Sequence, residues 1–76
     1  MTEKPDEVDE VKKLLAIAND MGLSSGVRIK AVDAIGNIGT HDALLALLDL
    51  AANESLIKGE RDRALKHARK VIKSGY

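Results

Sequence analysis

The chain has no cysteine, tryptophan or phenylalanine, and its one aromatic residue is Tyr76, at the last position. Without cysteine there is neither a disulfide framework nor a thiolate metal site. That composition suits a reducing cytoplasm. Without aromatics there is no platform on which single-stranded bases could stack. The longest apolar run, Ala43 to Leu48, is far too short to span a bilayer. The opening Met1-Thr2-Glu3-Lys4-Pro5-Asp6-Glu7 is polar and acidic, and reads as neither a signal nor a transit peptide. The expectation is a cytoplasmic chain without a membrane segment. Its 76 residues suffice for one small domain (1–76), whose stability must come from good helix packing or from association.

The formal net charge is zero, yet it divides unevenly. Residues 1–54 carry ten acids and five bases, and residues 55–76 carry two acids and seven bases. Helix dipoles account for part of this, since acids suit the start of the first helix and bases the end of the last. The rest is a molecular dipole that a partner would feel.

What is present above all is an internal repeat. Residues 40–72 laid under residues 7–39 without gaps give identities at Asp9/Asp42, Leu14/Leu47, Leu15/Leu48, Ala18/Ala51, Leu23/Leu56, Gly26/Gly59, Arg28/Arg61 and Ala31/Ala64. Val11/Leu44, Ile17/Leu50, Lys30/Arg63, Val32/Leu65 and Ile38/Val71 keep their chemistry. A displacement of this length is the signature of stacked helical repeats. Such repeats build surfaces more often than catalytic sites.

Four helices and no strands follow from the hydrophobic spacing. The first spans about residues 6–21, with Pro5 at its entry and Val8, Val11, Leu14, Leu15 and Ala18 in one stripe. Ser24 or Ser25 can cap the second, which spans about 26–38 and has two apolar faces: Val27, Ala31, Ala34, Ile35 and Ile38, then Ile29, Val32 and Gly36. A glycine inside a helix costs roughly 1 kcal/mol against alanine, so Gly36 implies close approach of a neighbour. Gly39 stops this helix and Thr40 can cap the third, about 41–53, which is apolar almost all round. The fourth, about 59–74, carries Ala64, Leu65, Ala68, Val71 and Ile72 as a single stripe, and Ser74-Gly75-Tyr76 is a frayed end. With one-faced outer helices and two-faced inner ones, the chain reads as two stacked αα-hairpins. Its terminal helices are expected to cap the stack.

The stretch from Val27-Arg28 through Gly36-Asn37-Ile38-Gly39 to Ala43-Leu44-Leu45-Ala46-Leu47-Leu48 resembles a HEAT-type repeat. It is most similar to the short HEAT-like form first noted in phycobilisome lyases. The resemblance implies a short α-solenoid of HEAT-like repeats, with units at about 7–39 and 40–72, and a role in scaffolding or protein–protein contact. It also implies that Arg28 and Arg61, at the position of the family's arginine, brace adjacent repeats through a carboxylate. Glu60 replaces the valine expected before Arg61, and the last helix lacks the Gly-x-Ile-Gly ending. HEAT-like iron hydroxylases hold metal with His-Glu pairs, and this chain has none.

Catalytic and cofactor chemistry find no foothold in the residues. His41 and His67 lie on different helices without a clustered carboxylate set. Ser24, Ser25 and Ser55 sit in turns, where capping is their ordinary role. Gly36-Asn37-Ile38-Gly39 closes a helix, whereas phosphate loops open one. A phosphopantetheine carrier would need Asp-Ser-Leu, and the nearest string is Asn53-Glu54-Ser55-Leu56. Ala18, Gly22-Leu23-Ser24 and Val27 look somewhat like a helix-turn-helix, but Val27 comes one residue early and Arg28 holds the expected buried site. The sharpest candidate is the basic last helix, where Arg63, Lys66, Arg69, Lys70 and Lys73 would meet an acidic partner. The expectation is a non-enzymatic protein-interaction module without metal or cofactor, open to homo-oligomerisation. The alternative is a small nucleic-acid-binding protein using the same helix.

Overall fold

The computed structural model describes the backbone of residues 5–74 and the side chains of residues 9–74. The Val8 side chain and the Gly75-Tyr76 end lie outside the described residues. Within them the chain is all-helical, with four helices and no strand: α1 (Pro5–Ala18), α2 (Ser25–Ile38), α3 (His41–Ala51) and α4 (Lys58–Lys73).

Short polar side chains set most of the helix boundaries. The Ser24 hydroxyl accepts from the Val27 amide at 3.3 Å and caps α2. Thr40 Oγ1 accepts from the Ala43 amide at 3.2 Å and caps α3. Each satisfies an amide that the first helical turn leaves without a partner. Between them Gly39 ends α2 at φ 67°, a left-handed conformation that glycine adopts without a Cβ penalty. The start of α4 differs, because Ile57 at its N-cap position makes no side-chain cap bond.

Two helices end sooner than their hydrophobic spacing suggests. The apolar pattern carries α1 to Met21 and α3 to Asn53, whereas the helices end at Ala18 and Ala51. Asp20 Oδ1 accepts from the Gly22 amide at 2.9 Å, and Asn53 Oδ1 accepts from the Ser55 amide at 2.9 Å. These side chains offer the backbone a turn in place of another helical bond. Asp20 and Asn53 are equivalent under the 33-residue displacement, and the backbone bonds around them match as well. Asp20 N to Ile17 O and Leu23 N to Asp20 O recur as Asn53 N to Leu50 O and Leu56 N to Asn53 O. Asn53 Nδ2 then donates to Asn19 Oδ1 at 2.9 Å, joining the two turns. The segment that looks like a helix-turn-helix is thus a turn that the chain makes twice.

Each helix packs on the next, and α1 also packs on α3 and α2 on α4. Among the described residues α1 and α4 do not meet. The two helix pairs therefore lie side by side, with α2 in the middle, touching all three others. Val32, Ile35, Leu47 and Leu50 are fully buried at this junction. Burial contributes about 1.5–3 kcal/mol for each such side chain. Ala31, Ala43, Ala46, Ala64 and Ala68 fill the remaining contacts and let the helix axes come close.

The outer faces depart from the expected pattern. Ala64, Ala68 and Val71 of the α4 stripe are buried, but Leu65 and Ile72 are 38% and 56% exposed. At 100° per residue, Leu65 and Ile72 sit on the flank of α4 turned away from α2. A single neighbouring pair of helices does not reach that flank. Away from α4, on α1, the turn after it and the start of α2, Ile17, Leu23 and Val27 are exposed as well. Among the described residues the terminal helices thus leave apolar side chains exposed on both flanks, contrary to the expected capping.

Candidate interaction surface at the last helix

Two polar clusters fix α4 against α2. In the first, Glu60 and Arg28 form a buried ion pair, Arg28 Nη2 to Glu60 Oε2 at 2.8 Å. Ser25 Oγ donates to the same oxygen at 2.5 Å, and Arg28 Nη1 donates to the Leu23 carbonyl. Arg28 thus ties the first turn to the start of α4. Burial pushes the Glu60 carboxyl up, but the Ser25 and Arg28 hydrogen bonds and the Arg28 charge outweigh it and hold the carboxyl below its ordinary value.

The second cluster gathers on Asp33. Arg63 grips it with two hydrogen bonds, Nε to Oδ1 at 2.8 Å and Nη2 to Oδ2 at 2.9 Å. His67 Nε2 approaches Oδ1 to 2.7 Å. Burial raises the Asp33 carboxyl, and the hydrogen bonds and charges of Arg63 and His67 bring it net below its ordinary value. The His67 ring also lies over Gly36, so close that a Cβ at that glycine would be 2.3 Å from Nδ1. Glycine inside α2 is what admits the ring.

These contacts divide the basic residues of α4. Arg63 points toward α2 and spends its guanidinium on Asp33. The side chains of Lys66, Arg69, Lys70 and Lys73 are exposed and make no ion pair among the described residues. They lie along one side of the exposed Leu65 and Ile72, and together these six line an open cleft of about 600 Å³. Asp62 at its edge pairs with Lys58 at 2.7 Å. The surface is an apolar strip beside a cationic one.

Arg61 belongs to this flank. It is the repeat equivalent of Arg28, yet it has no carboxylate partner among the described residues. Its Nε is buried without a hydrogen bond. Arg28 reaches across to Glu60 of α4, whereas no carboxylate among the described residues answers Arg61.

The sequence pattern points to a carboxylate for Arg28 without showing which, and gives no sign of the Asp33 cluster. Glu60 stands out in the sequence as a departure from valine, and it is in fact the carboxylate that Arg28 holds. Asp33 is legible as a partner only once it is known which face of α2 meets α4. A smaller groove of about 340 Å³ between α1 and α3 is lined by Val11, Leu15, Leu45 and Ala46, with Asp42 and Asp49 beside them. Among the described residues no group of three or more histidines and carboxylates could hold a metal ion, and no helix is long and apolar enough to cross a membrane. No protein-family model, curated protein or solved structure matches the chain.

Proposed function

We propose that the chain is a non-enzymatic protein-interaction module of the short HEAT-like repeat type, with units at about 7–39 and 40–72. On this reading the outer flank of α4 receives an acidic, partly apolar protein surface. The twice-made turn and the Arg28–Glu60 brace between the units support the repeat reading. The observation that carries the function is Leu65 and Ile72, exposed beside Lys66, Arg69, Lys70 and Lys73. A solvated cap needs the lysines but not the two apolar side chains. A phosphate backbone likewise gains little from them, since its affinity comes from cations and counterion release. A protein surface uses both, through apolar burial at the centre and charges at the rim.

Affinity capture from the source cells tests this with wild-type and Leu65→Asp/Ile72→Asp baits. A protein retained by the wild type through nuclease treatment, and lost with the double variant, supports the reading. Recovery of nucleic acid instead, released by moderate salt and indifferent to the double variant, overturns it in favour of phosphate binding.

A further inference from the structure

The interface between the two units serves as a template for what the open end of the second unit would hold. The Leu65 equivalent in the first unit is Val32, which is 1% exposed on a helix that packs against both helices of the second unit. The Arg61 equivalent is Arg28, which meets Glu60 of the second unit. On the other side of that interface Leu56 and Glu60 are buried, whereas their equivalents Leu23 and Val27 at the free end of the first unit are exposed. The flank of α4 thus repeats an inner face that no neighbour covers among the described residues.

Several positions on that face have changed, four of them toward positive charge, while Ile29 becomes Asp62 at its edge. Ser25, Asp33, Gly36 and Asn37 of α2 correspond to Lys58, Lys66, Arg69 and Lys70 of α4. Arg28 persists as Arg61. A unit stacked here in the manner of the second unit on the first would set its Glu60-like position against Arg61. Its Arg63-like position would fall beside Lys66. Both positions call for a carboxylate. A second copy of this chain does not supply them, because its first unit has Val27 and Lys30 there. Lys30 would face Lys66, a like-charge contact.

Resting on the reading of α4 as a protein-docking flank, we infer that the open end of the second unit is a socket for an acidic αα-hairpin of another protein. That hairpin carries a carboxylate in the first turn of its second helix, opposed to Arg61. It carries another acid three residues later, opposed to Lys66.

The chain can serve as its own probe. Val27→Glu/Lys30→Glu places both acids on the free end of the first unit. Val27 is 44% exposed, and acids near the start of α2 agree with its dipole, so the fold tolerates them. Sedimentation velocity over a concentration series should show the double variant associating head to tail at least about tenfold more tightly than wild type. A tenfold gain is modest for a charge pair in an apolar setting. Adding Arg61→Met, which keeps an apolar stem, or Leu65→Glu to the same chain should abolish the gain. Raised salt should weaken it. No gain over wild type overturns the inference, as does a gain that survives Arg61→Met. Equally tight association of wild type also overturns it, by making a second copy the occupant. None of these results bears on whether a cellular protein is captured through Leu65 and Ile72. The docking reading therefore stands or falls separately.

Discussion

The imidazole of His67 and the backbone of Gly36 share one space, and Asp33 holds the ring there through Nε2 at 2.7 Å. Gly36→Ala should therefore destabilise the protein, although alanine is the better helix former by about 1 kcal/mol. Overpacking of this kind costs typically about 1–3 kcal/mol. Denaturant unfolding should show a lowered midpoint for Gly36→Ala. Combined with His67→Ala, the loss should be well below the sum of the single effects. Additive losses would mean that the ring and the glycine do not compete.

Glu60 should make the fold acid-sensitive. Its carboxyl lies below the ordinary value of 4.5 in the folded chain, so the unfolded chain takes up the proton first as the pH falls. The stabilisation is complete above 4.5 and is lost as the pH drops through the lowered value. Asp33 adds a similar loss beginning near 3.8. Thermal melts of Glu60→Gln between neutral pH and strong acid should give a flatter profile than wild type. A profile as steep as wild type would assign the acid sensitivity elsewhere.

Breaking the pair outright should cost more. Glu60→Ala leaves the Arg28 guanidinium buried without its anion, a change worth about 3–5 kcal/mol. Arg28→Met/Glu60→Leu, which removes both charges and keeps the volume, should recover much of that loss. Chemical denaturation measures both. A double variant no more stable than Glu60→Ala would show that the Ser25 and Leu23 contacts, not charge, dominate the cluster.

The uncapped start of α4 offers a gain. Ile57 is exposed and has extended backbone angles, φ −70° and ψ 156°, the conformation in which a hydroxyl reaches the third amide. Ile57→Ser should stabilise the protein by about 0.5–1 kcal/mol, and Ser24→Ala or Thr40→Ala should cost about as much. Unchanged midpoints for all three would mean that helix ends contribute little here.

Local sequence signals carried much of this architecture. Four helices follow from apolar spacing, and Ser24, Gly39 and Thr40 mark their boundaries through chemistry confined to neighbouring residues. Helical spacing runs on to Met21 and Asn53, past the ends at Ala18 and Ala51, because Asp20 and Asn53 close those turns with their side chains. The candidate surface was half legible. Lys66, Arg69, Lys70 and Lys73 stand out by charge alone. Arg63 looks identical in the sequence and is taken by Asp33. Leu65 and Ile72 read as core because helical spacing shows that they share a stripe, not how far the neighbouring helices reach across it.

Arg28 touches three places at once: its own helix α2, the Leu23 carbonyl in the preceding turn, and Glu60 at the start of α4. In a linear array each unit can melt separately if its coupling to the next is weak. Here a single guanidinium links the end of one turn to the beginning of the last helix, so neither pair of helices can open without exposing the other's charge. The two halves should therefore melt together in one transition. Amides of α2 and α4 should exchange with solvent at a common rate set by global unfolding.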